Sequence, residues 1–157
     1  MEKNIIYTFR KIRHSKYGTL YRLNQNINIT LTNTSSIFGI EKNYNKKNIK
    51  WNITEPYYFL LENIENKILN DFKINQNIIC NLKSKLIIRK NYPKMITTDL
   101  SKNIHDVFEH EPGELIDYNS LLKKTKYNVN LKIEYISLNN KQLNIKFKTI
   151  KIKCVSK

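Results

Sequence analysis

The last quarter of the chain constrains the fold most, because apolar and polar residues alternate there on both sides of an Asn-Asn pair. Before the pair, every second residue is apolar, at Val129, Leu131, Ile133 and Tyr135. Alternation with β-branched and aromatic residues is typical of a half-buried strand. Asn139 and Asn140 suit a tight turn, since asparagine tolerates the left-handed backbone that such turns require. The pattern therefore predicts a C-terminal β-hairpin.

The apolar positions change phase within the second predicted strand. They are odd at first and even later: Leu143, Ile145 and Phe147, then Ile150, Ile152 and Cys154. One extra residue near Thr149, a β-bulge, would return both sets to a single inward face. The outward face would then carry a row of lysines, namely Lys146, Lys148, Lys151 and Lys153.

This lysine row has two interpretations. A cationic sheet face with a packed back suits the binding of a polyanion. Alternatively, lysines protect an unpaired edge strand against pairing with another chain. The strand alone does not distinguish between the two.

The charge of the whole chain favours the first interpretation. Its 157 residues include 28 Lys and Arg against 13 Asp and Glu, a formal net charge of +15. Such an excess favours association with nucleic acid or with an anionic surface. The hydrophobic content of 40% is sufficient for one packed domain over residues 1–157, with residues 1–25 as a candidate basic arm. No apolar run reaches the length of a membrane span, and no signal peptide is evident, so we expect an intracellular protein without a membrane partner.

The rest of the chain predicts strands followed by one clear helix. Short strands are expected at 5–9, 19–23, 26–32 and 48–53, with a basic segment at 10–16 and a polar loop at 41–47. Thr54 is a suitable N-cap before Glu55 and Pro56, and apolar residues recur at helical spacing through Phe72. Residues 74–90 fit strands or a second helix, and 95–98 reads as extended. The expected fold is mainly β or α+β: an OB-like antiparallel barrel or strongly curved sheet, with a central helix at about 55–72.

Motifs of enzymes and cofactor sites are absent from the sequence, so we expect neither catalysis nor a cofactor. His105 and Glu109 would share one face of a helix and could share a metal ion, but such pairs are common on solvated surfaces, and no metal site is predicted. The acidic segment 99–117 is expected instead to shield a basic groove or to contact a partner. Cys80 and Cys154 lack a partner motif and are predicted to be reduced and buried.

Aromatic and basic residues lie close together in several segments, as binding to single strands requires: cations meet the phosphates and flat rings stack on unpaired bases. Trp51 shares a face with Ile49 and Ile53 and is predicted to be core. Tyr17, Tyr21 and Tyr92 are predicted to be exposed rings. Together with the lysine row, the candidate nucleic-acid-binding residues are Arg10, Lys11, Arg13, Tyr17, Tyr21, Lys50, Arg89, Lys90 and Tyr92.

Several segments occur in an order that resembles a known family. They are Ser36-Ile-Phe-Gly-Ile40, Lys50-Trp-Asn-Ile53, the helix at 58–68, the basic segment 82–90, Tyr92-Pro93 and two closing strands that end at Val155. Over residues 26–155 the chain resembles the single-stranded-DNA-binding proteins of large nucleocytoplasmic DNA viruses, which are similar to the baculovirus DNA-binding protein. The resemblance implies an OB-like barrel that coats single-stranded DNA during viral replication or recombination, in the nucleus or cytoplasm of an infected cell.

The expected function is therefore non-enzymatic, sequence-independent binding of single-stranded DNA. RNA is an open alternative, and self-association along the strand is compatible with this function. The first rival is an interaction or scaffolding protein whose basic surface binds an acidic partner or an anionic membrane. The second is a metal-dependent nuclease or transcription subunit that uses residues 105–111.

Overall fold

A computed structural model describes residues 5–43, 46–101, 106–109 and 126–155. These residues form strands and one helix, so the chain is mainly β, as expected. None of the described helical structure is long and apolar enough to cross a membrane. In chain order the elements are β1 (Phe9–Ser15), β2 (Gly18–Leu23), β3 (Asn28–Thr34), β4 (Ile40–Asn43), β5 (Lys46–Asn52), α1 (Glu55–Gln76), β6 (Asn81–Lys83), β7 (Leu86–Ile87), β8 (Met95–Leu100), β9 (Phe108–Glu109), β10 (Tyr127–Asn139) and β11 (Gln142–Cys154).

The predicted C-terminal hairpin is confirmed and forms the centre of the sheet. β10 and β11 have 13 residues each and pair antiparallel along their whole length. Asn140 and Lys141 form the turn with φ of 50° and 61°, the left-handed conformation that a two-residue type I′ turn requires. The turn therefore begins one residue later than predicted, since Asn139 still belongs to β10.

The other strands extend the sheet from both sides of this hairpin. β2 and β3 pair antiparallel with β10, and β1 pairs with β2. On the other side, β6, β8 and β9 follow one another along β11, all parallel to it, and β5 and β4 continue the sheet from β8. The sheet is thus open and mixed, and its three strands parallel to β11 differ from the antiparallel barrel that was one of the two expected arrangements. Because β11 has neighbours on both sides, the edge-strand interpretation of its lysines is also wrong.

The predicted bulge in β11 is confirmed at Ile150. Asn130 is opposite Lys151 and Leu131 is opposite Thr149, which leaves Ile150 without a partner residue on β10. The inward positions around the bulge are accordingly Thr149 and Ile152, both fully buried, whereas the side chain of Ile150 is 38% exposed. The expectation that Ile150 faces inward is therefore wrong.

A second bulge, which the sequence analysis did not predict, lies in β10 at Glu134. Ile133 is opposite Phe147 and Tyr135 is opposite Lys146, so Glu134 is the extra residue. The bulge turns Tyr135 to the outward side and returns Ile136 to the core, where it is fully buried. The expected place of Tyr135 on the apolar face is therefore wrong.

The two cysteines differ in environment. Cys80 is buried, as predicted, and its burial raises the pKa of the thiol. Cys154 is exposed. The predicted burial of Cys154 is wrong: it is the last residue of β11, one position beyond the pairing of β11 with β9.

Trp51 lies at the centre of the core, as predicted, with its side chain fully buried. Its ring packs edge-on against Tyr127, with 6.2 Å between centroids. The indole N–H donates to the hydroxyl oxygen of Thr149 at 3.0 Å, and Thr149 and Thr98 share a hydrogen bond of 2.7 Å. These bonds satisfy the buried polar groups of three strands, β5, β8 and β11, and fix their relative positions.

α1 covers the inner face of the sheet. It begins where predicted, with Pro56 in its first turn, although the Thr54 hydroxyl caps no backbone N–H. It ends at Gln76, four residues later than predicted, because Asn77 adopts the left-handed conformation (φ 53°) that terminates helices. The side chains that α1 buries are Leu61, Glu65, Ile68 and Phe72.

In three further segments the secondary structure differs from the expectation or resolves an alternative that the sequence left open. Within the expected polar loop at 41–47, residues 41–43 belong to β4 and residues 46–47 to β5, and the two strands pair antiparallel. The basic segment 10–16, part of the candidate N-terminal arm, forms most of β1 within the sheet. The ambiguous region 74–90 contains the end of α1 and the short strands β6 and β7.

The carboxylate of Glu65 is buried where the chain passes from β6 to β7. Its side chain accepts a hydrogen bond of 2.5 Å from the Ser84 hydroxyl and one of 2.9 Å from the Lys85 backbone N–H. Burial nevertheless raises the pKa of Glu65, because removal from water disfavours the charged form more than these bonds favour it.

We predict that the raised pKa makes the stability of the wild type fall with rising pH relative to Glu65→Gln. The folded state binds the proton of Glu65 more tightly than the unfolded state, so the unfolding free energy decreases from the ordinary glutamate pKa up to the raised one. Urea denaturation between about pH 4 and about pH 8 measures the difference. Glu55→Gln on the same helix, where the side chain is 74% exposed, is the control for the change in charge. If the unfolding free energies of the wild type and Glu65→Gln depend on pH in the same way, the prediction is contradicted.

Candidate nucleic-acid interface

The surface of the sheet opposite α1 and the core, which we call the outer face, collects the basic side chains of five strands. The register of β10 and β11 sets its centre, because inward residues are buried and the alternate residues point away from the core. Neighbouring strands continue the same face in register. Its basic and aromatic residues are Arg10, Arg13, Arg22, Lys50, Lys132, Tyr135, Lys146, Lys148, Lys151 and Lys153.

Most of the candidate residues from the sequence lie on or beside this face. Seven are brought together on it: Arg10, Arg13, Lys50, Lys146, Lys148, Lys151 and Lys153. Lys11 lies on the other side of β1, opposite Tyr21. Tyr17 lies in the turn between β1 and β2 and is 73% exposed, as predicted. Arg89, Lys90 and Tyr92 are exposed in the loop between β7 and β8.

Tyr21 is buried, so its prediction as an exposed ring is wrong. Its side chain is 2% exposed and packs edge-on against Phe72 of α1, with 4.9 Å between ring centroids. The alternation of β2 gives the reason: Thr19, Tyr21 and Leu23 all face the core under the helix. Burial accordingly raises the pKa of the Tyr21 hydroxyl.

Like charges are directly opposite each other on the outer face. Arg10 of β1 is paired with Arg22 of β2, and Lys132 of β10 is paired with Lys148 of β11. Directly opposite side chains have Cβ atoms about 4.5–5.5 Å apart, and like charges at that distance destabilise a sheet. A bound anion would relieve this repulsion.

Acidic residues compensate only part of the charge. Glu134 contacts Lys148 (Oε2 to Nζ, 3.0 Å), and Glu109 contacts Lys151 (Oε1 to Nζ, 2.5 Å). A third ion pair joins Lys50 and Glu41. Other outer-face cations, including Lys132, Lys146 and Lys153, form no ion pair within the described part of the chain. The face therefore keeps a surplus of positive charge.

Tyr135 lies in the middle of this charge. The Arg22 guanidinium lies 5.3 Å from the Tyr135 ring centroid and donates to its hydroxyl at 3.1 Å. Lys146 is the residue directly opposite on β11. A flat ring with cations on two sides can stack on a base while the cations meet the flanking phosphates.

Sequence reasoning did not name Arg22, Lys132 and Tyr135 as binding residues, although the alternation of β10 already placed Lys132 on its polar side. For Tyr135 the change of apolar phase from Ile133 to Ile136 was the available signal, since it is the same kind of change that revealed the bulge in β11. The arrangement of Arg22 beside Tyr135 had no signal in the sequence, because 113 positions separate the two residues.

A second group of rings lies at the β5 end of the outer face. Phe38 and Tyr92 are in contact, with 5.8 Å between centroids, and the Lys50 ammonium lies 6.0 Å from the Phe38 ring. Tyr92 is 47% exposed, as predicted. This group provides a second position where a ring adjoins a cation, separated from the centre of the face by β8 with its acidic Asp99.

The acidic segment contributes Glu109 to the face through β9. The hydrogen bond from Lys151, aided by the charges of Lys151 and Lys153, lowers the pKa of Glu109. This contact agrees with the expectation that the segment shields basic residues. His105, His110 and Glu111 lie outside the described residues, and no group of potential metal ligands is found among those that are described.

Comparison of the chain with protein-family models, with curated proteins and with solved structures finds no match.

We predict that Glu134→Gln destabilises the free protein by about 0.5 kcal/mol at low salt, because Lys148 loses its counter-charge beside Lys132. The loss should disappear in about 1 M salt, where the Debye length is about 3 Å. Urea denaturation at both salt concentrations measures it. Glu55→Gln is the control. Glu55, on α1, also contacts a lysine, Lys94, but at 3.8 Å and with a side chain that is 74% exposed. An equal loss at both salt concentrations would contradict the electrostatic cause.

Proposed function

We propose that this chain binds single-stranded DNA, without enzymatic activity or sequence preference, across the outer face of its sheet. The observation that carries the proposal is the position of β11: its lysines lie on an interior strand and so protect no edge. They also face like charges across strands and are only partly compensated by carboxylates. Such a surface is stabilised by a polyanion that lies across it.

The rings favour an unpaired strand over a duplex. Tyr135 adjoins Arg22, and Tyr92 contacts Phe38, whose ring adjoins Lys50. The base faces on which these rings would stack are accessible only in single strands. Alternate lysines on a strand are about 6.6 Å apart, a spacing comparable to the phosphate repeat of an extended single strand. Rings and phosphate contacts carry no base code, which supports binding without sequence preference.

The finer fold assignment, an OB-like barrel, belongs to the same proposal. Asn52 at the end of β5 donates its backbone N–H to the Ser35 carbonyl at 2.8 Å, and the Thr34 hydroxyl donates to the Asn52 carbonyl. These bonds join the end of β3 to β5 and draw β3, β10, β11, β8 and β5 toward a closed arrangement. OB-folds bind single strands on the outside of such a barrel.

We predict that Lys146→Gln with Lys153→Gln weakens binding to a labelled thymidine oligonucleotide at least tenfold, about 1.4 kcal/mol. The slope of log K against log salt should fall by about 1.4, since about 0.7 is lost for each phosphate contact removed on single strands. Fluorescence anisotropy over a salt series measures both. Lys67→Gln with Lys73→Gln on α1 is the control with equal charge change.

The same assay with RNA, duplex DNA and heparin tests the alternatives. No binding of any single strand by micromolar wild-type protein would reject the proposal in favour of an acidic protein partner. Equal affinity for heparin and for single-stranded DNA would reject the stacking role of the rings.

We predict that Tyr135→Leu weakens binding to single-stranded DNA about tenfold but changes binding to duplex DNA little. A stacked base contributes about 1–3 kcal/mol, and only unpaired bases stack. Titration of matched single strand and duplex measures the difference. Tyr58→Leu is the control, because this ring also adjoins a cation, Lys94 at 4.4 Å, but belongs to α1. Equal weakening of binding to the single strand and to the duplex would show that Tyr135 acts only by positioning Arg22.

A further inference from the structure

A shallow depression lies at the end of the outer face away from the hairpin turn. It has a volume of about 230 Å³ and is lined by Glu109, Asn128, Asn130, Lys151 and Lys153. Since a cavity needs about 10–15 Å³ on this measure to hold one water molecule, the depression is large enough for a phosphate group together with solvent.

Four of these residues form a square of hydrogen-bond donors. Asn128 is directly opposite Lys153, and Asn130 is directly opposite Lys151, on the paired strands β10 and β11. The ammonium groups can only donate hydrogen bonds. What the asparagines offer depends on which way their amide groups point.

Neighbours on β3 hydrogen-bond to both amide groups. The backbone N–H of Asn33 donates to Asn128 Oδ1 at 3.0 Å, and because an N–H cannot accept, the oxygen must point toward β3. The hydroxyl of Thr30, a group that can donate or accept, donates to Asn130 Oδ1 at 3.0 Å in this structure. In this arrangement both NH2 groups line the depression, and neither has a hydrogen-bond partner within the described part of the chain.

One of the four donors already holds an anion: the Lys151 ammonium contacts the carboxylate of Glu109 at 2.5 Å. Glu109 reaches the site because β9 pairs in parallel with the outer edge of β11, with Glu109 in register with Lys153. A carboxylate presents acceptor oxygens to the same donors that a phosphate group would use.

We propose that this square is a phosphate subsite for the DNA backbone, in which Glu109 acts as an internal competitor that a bound strand displaces. The proposal rests on the proposed function and adds the position of one phosphate and a mechanism that limits affinity. While the site is empty of nucleic acid, Glu109 offsets the charge of Lys151. When a strand binds, Glu109 turns to solvent and the four donors bind the phosphate.

The first test removes the competitor. Glu109→Gln should tighten binding of the labelled thymidine oligonucleotide about fivefold, the equivalent of an exposed ion pair of about 1 kcal/mol. Glu62→Gln on α1 changes the net charge equally and should leave affinity within about twofold. If wild type binds but the two variants behave alike, the subsite is refuted while the proposed function stands. If wild type does not bind, the proposed function itself fails.

The second test reverses the donors. Asn128→Asp with Asn130→Asp keeps each Oδ1 that accepts from β3 but replaces both NH2 groups with anionic oxygens. Binding should weaken at least tenfold, whereas Asn63→Asp with Asn66→Asp on the exposed side of α1 should have a much smaller effect. Equal effects of the two pairs would show a general charge effect and overturn the subsite.

NMR of the asparagine side-chain amides separates the possible phosphate sources and does not depend on the affinity assay. In wild type, the NH2 signals of Asn128 and Asn130 should shift on addition of a short single strand. A shift with inorganic phosphate alone, and none with the strand, would refute placement of the DNA backbone at this site. Unchanged signals with both ligands would refute the subsite altogether.

Discussion

The central hairpin keeps one apolar and one cationic face over two long strands only because two extra residues reset its alternation. Without the bulge at Ile150, the apolar residues before and after it would point to opposite faces. The bulge at Glu134 does the same for β10 and brings Tyr135 outward. The core, the seat of α1 and the outer face all depend on this phase, since a shift of one residue reverses every following side chain.

Buried hydrogen bonds hold that phase in place. Thr149, immediately before the bulge in β11, contacts both Trp51 and Thr98, so the inward phase is fixed by polar bonds as well as by apolar packing. Glu65 has a similar role beside β11, where its carboxylate accepts hydrogen bonds from Ser84 and Lys85 between β6 and β7. Loss of either contact would leave buried polar groups without partners, which destabilises more than a surface contact contributes.

The outer face combines a structural disadvantage with a proposed functional use. Opposed arginines and opposed lysines weaken the free sheet, and Glu134 and Glu109 offset part of that repulsion. The same two carboxylates occupy cations that a phosphate backbone would need. Stability of the free protein and affinity for DNA are therefore expected to oppose each other at these positions.

The sequence by itself determined the helix, the hairpin, the bulge in β11 and the strands that became β2, β3, β5 and β8, because local alternation and helical spacing reflect which side of each element is buried. It also indicated Trp51 as core and the four lysines as outward. Only the tertiary structure decided that Tyr21 is covered by Phe72, that β11 is interior, and that Arg22, Tyr135 and Glu109 join the lysines. Each of these depends on pairing between segments distant in the chain, and the period of a single strand carries no information about which neighbour covers its face or its edge.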